Sequence, residues 1–264
     1  MPRVSIVIPT LNAGRTLRVC LAAARSQTHR DVEIIVVDSM SKDETAEIAR
    51  QADQLIRVDS GMTKARLLGV RAARGDYVLN LDSDQVLARD TVSRALQASA
   101  EGADVLVLGE TSVGPGLVAR INALDQRFTD VHWQENVDVI AGVLRPRFYR
   151  TPVVLRALEA IPPGLIDQRP CPFSEDTLVY FFAARAHPRI GYVPGAVTHI
   201  EEESIWTYMK KWAGYGRAAK GIRGTELEVI LNNRGVRRGG GLRALPSYAA
   251  LAVRALPFAM GLYL

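Results

Sequence analysis

Cysteine is scarce in this sequence, long uncharged apolar runs are missing, and acids nearly vanish toward the C-terminus. Only Cys20 and Cys171 are present. They give no disulfide framework and no paired metal-ligand spacing, so a reducing cytosol is the expected compartment. No stretch reaches the roughly 18 uncharged apolar residues of a confident bilayer span. The opening residues "MPRVSIVIPT" lack the apolar core and small-residue cleavage site of a secretory leader. The turn "PTLNAG" (9–14) carries one glycine where a dinucleotide fingerprint needs G-x-G-x-x-G, and no Walker pattern occurs.

The shortage of acids is local. Residues 204–264 hold ten Lys/Arg and only Glu226 and Glu228, a net +8. The whole chain is +5, so the first 203 residues are −3. The asymmetry suggests an anionic partner for the tail, such as a membrane surface or lipid phosphate; a solvated basic face is the plainer reading. The tail lacks an aromatic–basic recognition module, so nucleic acid is not expected as a partner.

What is present is a regular alternation. "VSIVIP" (4–9), "VEIIVVD" (32–38), "QLIRV" (54–58), "DYVLNL" (76–81) and "DVLVLGE" (104–110) are short, β-branched apolar runs that read as buried strands. Between them, residues 14–27, 41–52, 63–73 and 88–100 carry helical spacing, the second with Ser41 as its expected N-cap. The series is βαβ: an α/β fold with a mostly parallel central sheet flanked by helices. Beyond residue 111 the pattern loosens. Helices are expected near 116–128 and over 150–161, 175–186 and 204–222, strands lining a site within 136–150, a loop over 162–173, and two short strands around Pro194-Gly195. A basic linker (232–241) leads to a terminal apolar helix, Leu242–Leu264, broken or kinked at Pro246 and Pro257.

Four constellations carry chemistry. In open parallel sheets ligands bind beyond the carboxyl ends of the strands. Thr10 and Asn12 follow the first strand, where they can contact a ligand or, for Asn12, cap the next helix. Asp38 ends the second strand, placed to accept from ribose hydroxyls or a base N–H, or to cap a helix. Asp82-Ser83-Asp84 interrupts "YVLNLDSDQVL" at the end of the fourth strand. Two carboxylates beside an apolar core raise each other's pKa and lose solvation, and either water or a hard divalent cation can offset that. Glu175-Asp176 open a helix, whose dipole favours the ionised form, so a carboxylate there can cap the helix or take a proton from a hydroxyl. His199 closes a short strand just before Glu201–Glu203; taken alone it reads as a hydrogen-bonded structural residue.

In order along residues 3–222, "VSIVIPTLNAGRTL", "VEIIVVDSMSKDET", "TKARLLGVRAARGDYVLNLDSDQVL", "PFSEDTLVYFFAARA" and "GAVTHIEEES" followed by "YMKKWAGYG" resemble the family-2 glycosyltransferases. The resemblance implies a GT-A-like fold: a Rossmann-like nucleotide-sugar-binding half (1–110), an acceptor-binding, catalytic half (111–222), and a helical C-terminal extension (223–264). It implies an inverting enzyme that moves a sugar from a nucleotide diphosphate sugar, UDP- or GDP-linked, to an acceptor hydroxyl or lipid phosphate. Pro9, Thr10, Asn12, Asp38, Lys64, Arg66, Asp82 and Ser83 would then line the donor. Asp84, with His199 and less directly Asp82, would hold Mg²⁺ or Mn²⁺. Asp176 would be the general base, beside Glu175. Lys211, Trp212 and Arg217 would face the acceptor, an acceptor sugar or polyprenyl-phosphate lipid. By their own pattern, the basic linker and apolar helix of residues 234–264 can either lie peripherally on the inner face of the cell membrane or dock on the protein's own core.

The sequence departs from the family at Ser39, where a second acid is common, and at Leu67, where Asn is common. Processive synthases carry Q-x-x-R-W; "MKKW" (209–212) lacks the Gln, so single-sugar transfer is expected. The alternatives are a nucleotidyltransferase, which would need a Gly-rich basic loop after strand one, and a nucleotide-sugar-binding protein without turnover.

Overall fold

A computed structural model describes residues 1–131, 146–171, 175–201, 204–232 and 245–263. Its centre is an eight-stranded sheet in the order β3-β2-β1-β4-β7-β6-β8-β5. Strands β1 (Val4–Thr10), β2 (Val32–Asp38), β3 (Gln54–Arg57) and β4 (Tyr77–Asn80) pair in parallel. Helices α1 (Gly14–Arg25), α2 (Thr45–Ala49) and α3 (Met62–Ala72) make their crossovers. The expected α/β alternation is therefore present, and the sheet is mixed. Strand β7 (Pro146–Arg150) is antiparallel to β4 on one side and to β6 (Val105–Val113) on the other. Strand β8 (Ile190–Ile200) runs parallel to β6, and β5 (Gln85–Leu87) closes the edge antiparallel to β8.

Successive strand residues point to opposite faces, and both faces here are covered. Ile6 and Ile8 join Leu17, Cys20 and Leu21 of α1 and Val92 and Ala95 of α4 (Thr91–Ala100). Val7, between them, joins the other layer with Val70 of α3, Leu158 of α6 (Thr151–Glu159) and Phe182 of α8 (Glu175–Ala183). Gly69 lets α3 approach β1 closely, because an added Cβ would run into the Val7 side chain. Burial of side chains this size stabilises by about 1.5–3 kcal/mol each, which is why the central strands are apolar on both faces.

Several local expectations are corrected. Ser41 caps no helix: α2 starts later, after Glu44, and Ser41 ties loops together instead. Residues 190–200 form one strand rather than two; Gly195, at φ +56°, and a register shift between Leu108 and Glu110 absorb the irregularity at Pro194. Within 162–173, expected as a loop, α7 (Pro163–Ile166) makes one helical turn. Of the expected strands in 136–150, residues 146–150 form β7, and the rest lie outside the described residues, as do 233–241 of the basic linker.

The C-terminal part comprises α9 (Ile205–Ala219), α10 (Glu228–Asn232) and α11 (Leu245–Tyr263). Helix α11 is continuous through Pro257, and Pro246 sits in its first turn, where proline is tolerated. It packs on α9 and on α5 (Leu117–Val131). Gly261 lies against the Ala213 backbone with no room for a side chain, and Phe258 is buried. No described helix is long and apolar enough to cross a membrane.

Candidate active site

The carboxyl ends of β1 and β2 form the first part of the site. Their register aligns Thr10 with Asp38. Asp38 is fully buried and satisfied: one oxygen accepts from the Ser41 N–H (3.1 Å) and the other from Arg57 Nε (3.0 Å). Asn12, at φ +50°, accepts from the Lys42 N–H (2.9 Å), while its own N–H donates to Ser41 Oγ (2.8 Å). Neither Asn12 nor Asp38 caps a helix; the residues at those positions are Ala13 and Glu44. The two side chains brace the loops around the strand ends. Pro9 is buried within β1, and the buried Thr10 hydroxyl has no partner. Lys64, in the first turn of α3, pairs with Asp167 (2.9 Å), whose other oxygen accepts from the Gly61 N–H at the helix start.

Deeper in, two guanidiniums organise four carboxylates, Asp82, Glu110, Glu175 and Asp176. Arg66 of α3 and Arg147 of β7 are both essentially inaccessible to solvent. Arg66 Nη2 donates to Asp82 Oδ1 (2.5 Å) and Glu175 Oε1 (2.8 Å) and lies 3.6 Å from Asp176 Oδ1. Arg147 Nη2 lies 3.0 Å from Asp82 Oδ2, 3.3 Å from Asp176 Oδ2 and 3.6 Å from Glu110 Oε2. Asp82 thus has both oxygens held by arginines. Burial opposes its ionisation, but Arg147, Arg66 and the His199 imidazole overcome this and hold it below the usual carboxylate range. Asp176 goes the other way. Burial pushes it up to about 6, Arg147 and Arg66 pull against that, and Glu175 and Asp82 add to the rise. The asymmetry follows from the pairing: four acids share two cations, and Asp82 has each oxygen within 3.0 Å of an arginine, whereas Asp176 meets them at 3.6 and 3.3 Å. The Nε and Nη1 atoms of both arginines are buried without partners.

The second acid of the turn faces elsewhere. Pairing of β5 with β8 sets Gln85 opposite His199, and the Ile200 N–H donates to the Asp84 carbonyl (2.8 Å). His199 Nε2 then lies 3.1 Å from Asp84 Oδ2, and its Nδ1 lies 3.1 Å from Glu110 Oε1 and 3.4 Å from Glu201 Oε1. Burial lowers the affinity of His199 for its proton, but the bonds to Asp84 and Glu110 prevail and raise it to about 11. Asp84 Oδ1 is left without a partner. Among the described residues, no three His, Cys, Asp or Glu side chains are arranged as a complete metal cage. Asp84, with its unused oxygen, fits a hard divalent cation that takes one or two protein ligands and fills its other positions with water and substrate phosphate, and His199 can join it when the cation displaces the Nε2 proton. Asp82 has an arginine on each oxygen and is less open to one.

Arg147, Glu110 and Gln85 were not assigned from the sequence. Gln85 bridges the two sets: its Oε1 accepts from the Asp82 N–H (3.0 Å) and its Nε2 donates to Glu110 (3.2 Å). The one available signal for Arg147 was a cation inside "PRFYR", between residues that turn out buried. Ser83 lies half-buried in the turn. Lys211, Trp212 and Arg217 ride on α9, where the Trp212 ring packs against Tyr208 and Tyr215 at 6.1 and 5.6 Å between centroids.

The profile of glycosyl transferase family 2 matches residues 5–145, just over half of the chain. The chain belongs to glycosyltransferase family 2. The family assignment sets aside the nucleotidyltransferase alternative. Among curated relatives, the glycosyltransferase GlyG of Streptococcus pneumoniae is 31% identical over 39% of this chain and 38% of its own length. An N-acetylglucosaminyltransferase of Mesorhizobium japonicum is 25% identical over 95% of this chain and 66% of its own. The chain thus spans from about two fifths to about two thirds of these relatives. Among solved structures, the mannosyltransferase PcManGT of Pyrobaculum calidifontis, in complex with GDP-Man and Mn²⁺, superposes with a TM-score of 0.61 at 19% identity, covering 97% of this chain and 75% of that one. S. aureus TarS 1–349 in complex with UDP-GlcNAc gives 0.59 at 18% identity, covering 97% and 81%. The shared architecture bears out the expected GT-A-like fold of this family-2 chain.

Proposed function

We propose that this family-2 glycosyltransferase is an inverting, divalent-metal-dependent enzyme that moves one sugar from a nucleotide diphosphate sugar to an acceptor hydroxyl or lipid phosphate. The observation that carries this reading is the division of labour around the D-x-D turn. Asp82 is bound into the same buried cluster as Asp176, and Asp84 turns to His199 with one oxygen unused.

Asp176, raised to about 6, is ionised at neutral pH and more basic than an ordinary carboxylate. It takes the proton of the acceptor hydroxyl as the acceptor oxygen bonds to the anomeric carbon and the bond to the diphosphate breaks on the opposite face. An acceptor phosphate needs no such proton transfer. A Mg²⁺ or Mn²⁺ ion held by Asp84 and His199 would neutralise the charge developing on the leaving diphosphate. The strand-end residues Thr10, Asn12 and Asp38 bound the nucleoside side, with Lys64 nearby on α3. The half holding residues 1–110 supplies the donor contacts, and the half holding 111–222 the base and the acceptor side. The absence of Q-x-x-R-W favours single transfers. Neighbours solved with UDP-GlcNAc and GDP-Man favour a UDP- or GDP-sugar as donor.

A thermal-shift panel of UDP- and GDP-sugars, each with and without Mn²⁺, tests the reading. One nucleotide should stabilise the chain strongly only when Mn²⁺ is present. No stabilisation by any of them would overturn it.

A membrane-facing location, on the inner leaflet, is supported by Leu256, Met260 and Tyr263, which α11 leaves exposed beside the basic tail. Flotation with anionic liposomes should recover the full chain and lose a Leu256→Ser, Met260→Ser variant. Equal recovery would remove the membrane contact.

A further inference from the structure

Arg254 is the cation that interrupts the apolar C-terminal helix, and it does not point to solvent. Its side chain is only 15% exposed. Nη1 pairs with Asp125 Oδ2 (2.9 Å), Nε donates to Tyr208 Oη (2.7 Å), and Nη2 donates to Asn122 Oδ1. Tyr208 Oη also donates to Asn122 Oδ1 (3.1 Å). That carbonyl oxygen is therefore fixed from two sides, which fixes the amide's other end. Asn122 Nδ2 donates to Glu201 Oε1 (2.6 Å), an oxygen that Ser112 Oγ also reaches (3.3 Å). The same oxygen lies 3.4 Å from His199 Nδ1, which also meets Glu110 Oε1 at 3.1 Å, so Glu201 and Glu110 together flank that side of the ring, and His199 Nε2 faces Asp84. Asn122, Asp125, Ser112, Glu201 and Tyr208 are all buried. Groups of this kind, out of water, have few alternative partners, so a hydrogen-bonded chain through them transmits position.

We propose that Arg254 is a positioning residue of the active site: by docking α11 onto Asn122, it sets Glu201 and through it the orientation of the His199 ring toward Asp84. The C-terminal helix is thus part of the catalytic apparatus, although none of its described side chains reaches Asp84 or Asp176 directly. The inference rests on the reading of Asp84 and His199 as cation ligands for its purpose, but not for its geometry. Partners that orient a ligating histidine typically govern about 10–100-fold in metal affinity.

The test uses the full chain labelled with ¹⁵N-histidine, with the His199 ring signals assigned against His199→Gln. Two variants cut the relay at different places. Arg254→Met keeps the apolar length. Asn122→Asp keeps the shape and the Arg254 bond but removes the donor to Glu201. Arg71→Met, in an exposed pair with Glu159, is the control. In both relay variants the His199 ring signals should shift, and the Mn²⁺ concentration that half-broadens them should rise at least about tenfold. Arg254→Lys should recover part of both effects, and Arg71→Met should show neither. Unchanged ring signals in both relay variants would overturn this inference alone. A wild-type His199 that Mn²⁺ does not broaden would instead sink the metal reading of Asp84 and His199, leaving the ring shift to decide the relay.

Discussion

Asp82 and Asp84 stand one residue apart in the same turn, yet they answer to different parts of the molecule. Asp82 faces the layer that holds α3 and α8, where Arg66 and Arg147 grip both its oxygens. Asp84 faces the β5–β8 edge, where it meets His199 and keeps one oxygen unpartnered. The first environment supplies more positive charge than one carboxylate needs and fixes it. The second leaves an acid with an unmet valence and a neighbour able to share a ligand. A doubled acid in a sequence is therefore not a doubled function. One member anchors the turn to the buried cluster, and the other keeps an oxygen open to a ligand.

Substitutions should break this contrast in order of effect. The largest concerns the anchor. Arg147→Met removes a buried cation from Asp82 and Asp176, which should cost about 3–5 kcal/mol of stability, read from urea unfolding. Loss of the exposed Arg71–Glu159 pair should cost under about 1 kcal/mol in the same assay. Equal losses would mean the buried cluster is not what anchors the turn.

The second effect reverses the pattern. Asp84→Ala should cost less stability than Arg147→Met, because Glu110 still holds His199, and should cut turnover at least about 10²-fold. A variant that still transfers sugar at near wild-type rate would remove Asp84 from the proposed chemistry.

The smallest effect sharpens the cluster itself. Asp176 is faced by Arg66, Arg147, Glu175 and Asp82, and by Tyr149 of β7. Because its ionised form is the base, kcat/KM should rise with pH through about 6 and level off above. Each pH unit below that value should cost about tenfold. A profile flat from pH 5 to 8 would show that another group takes the proton, or that none is needed because the acceptor is a phosphate.

Much of this site is legible in the linear chain, and the reason is local. Runs such as "VSIVIP" and "VEIIVVD" are too apolar to be anything but two-face-buried strands, so their ends locate Thr10, Asn12 and Asp38. "YVLNLDSDQVL" shows where β4 stops, and "EDTLVY" shows a helix opening on two acids. These signals need only neighbours within a few residues. The details that failed were likewise local but weak: a helix start moved from Ser41 to beyond Glu44, and a Pro-Gly pair that bends a strand rather than ending one.

By itself, the sequence determined the βα alternation of the first 110 residues apart from β5, the D-x-D turn at a strand end, and the candidate base at a helix start, because periodicity and strand ends are short-range properties. Only the tertiary structure decided which acid meets which partners. Arg147 arrives on an antiparallel strand inserted between β4 and β6, His199 comes opposite Gln85 through the β5–β8 pairing, and Arg254 reaches Asn122 from the far end of the chain. Each of these pairings depends on where distant segments pack, and the pull of a buried charge acts through space rather than along the chain.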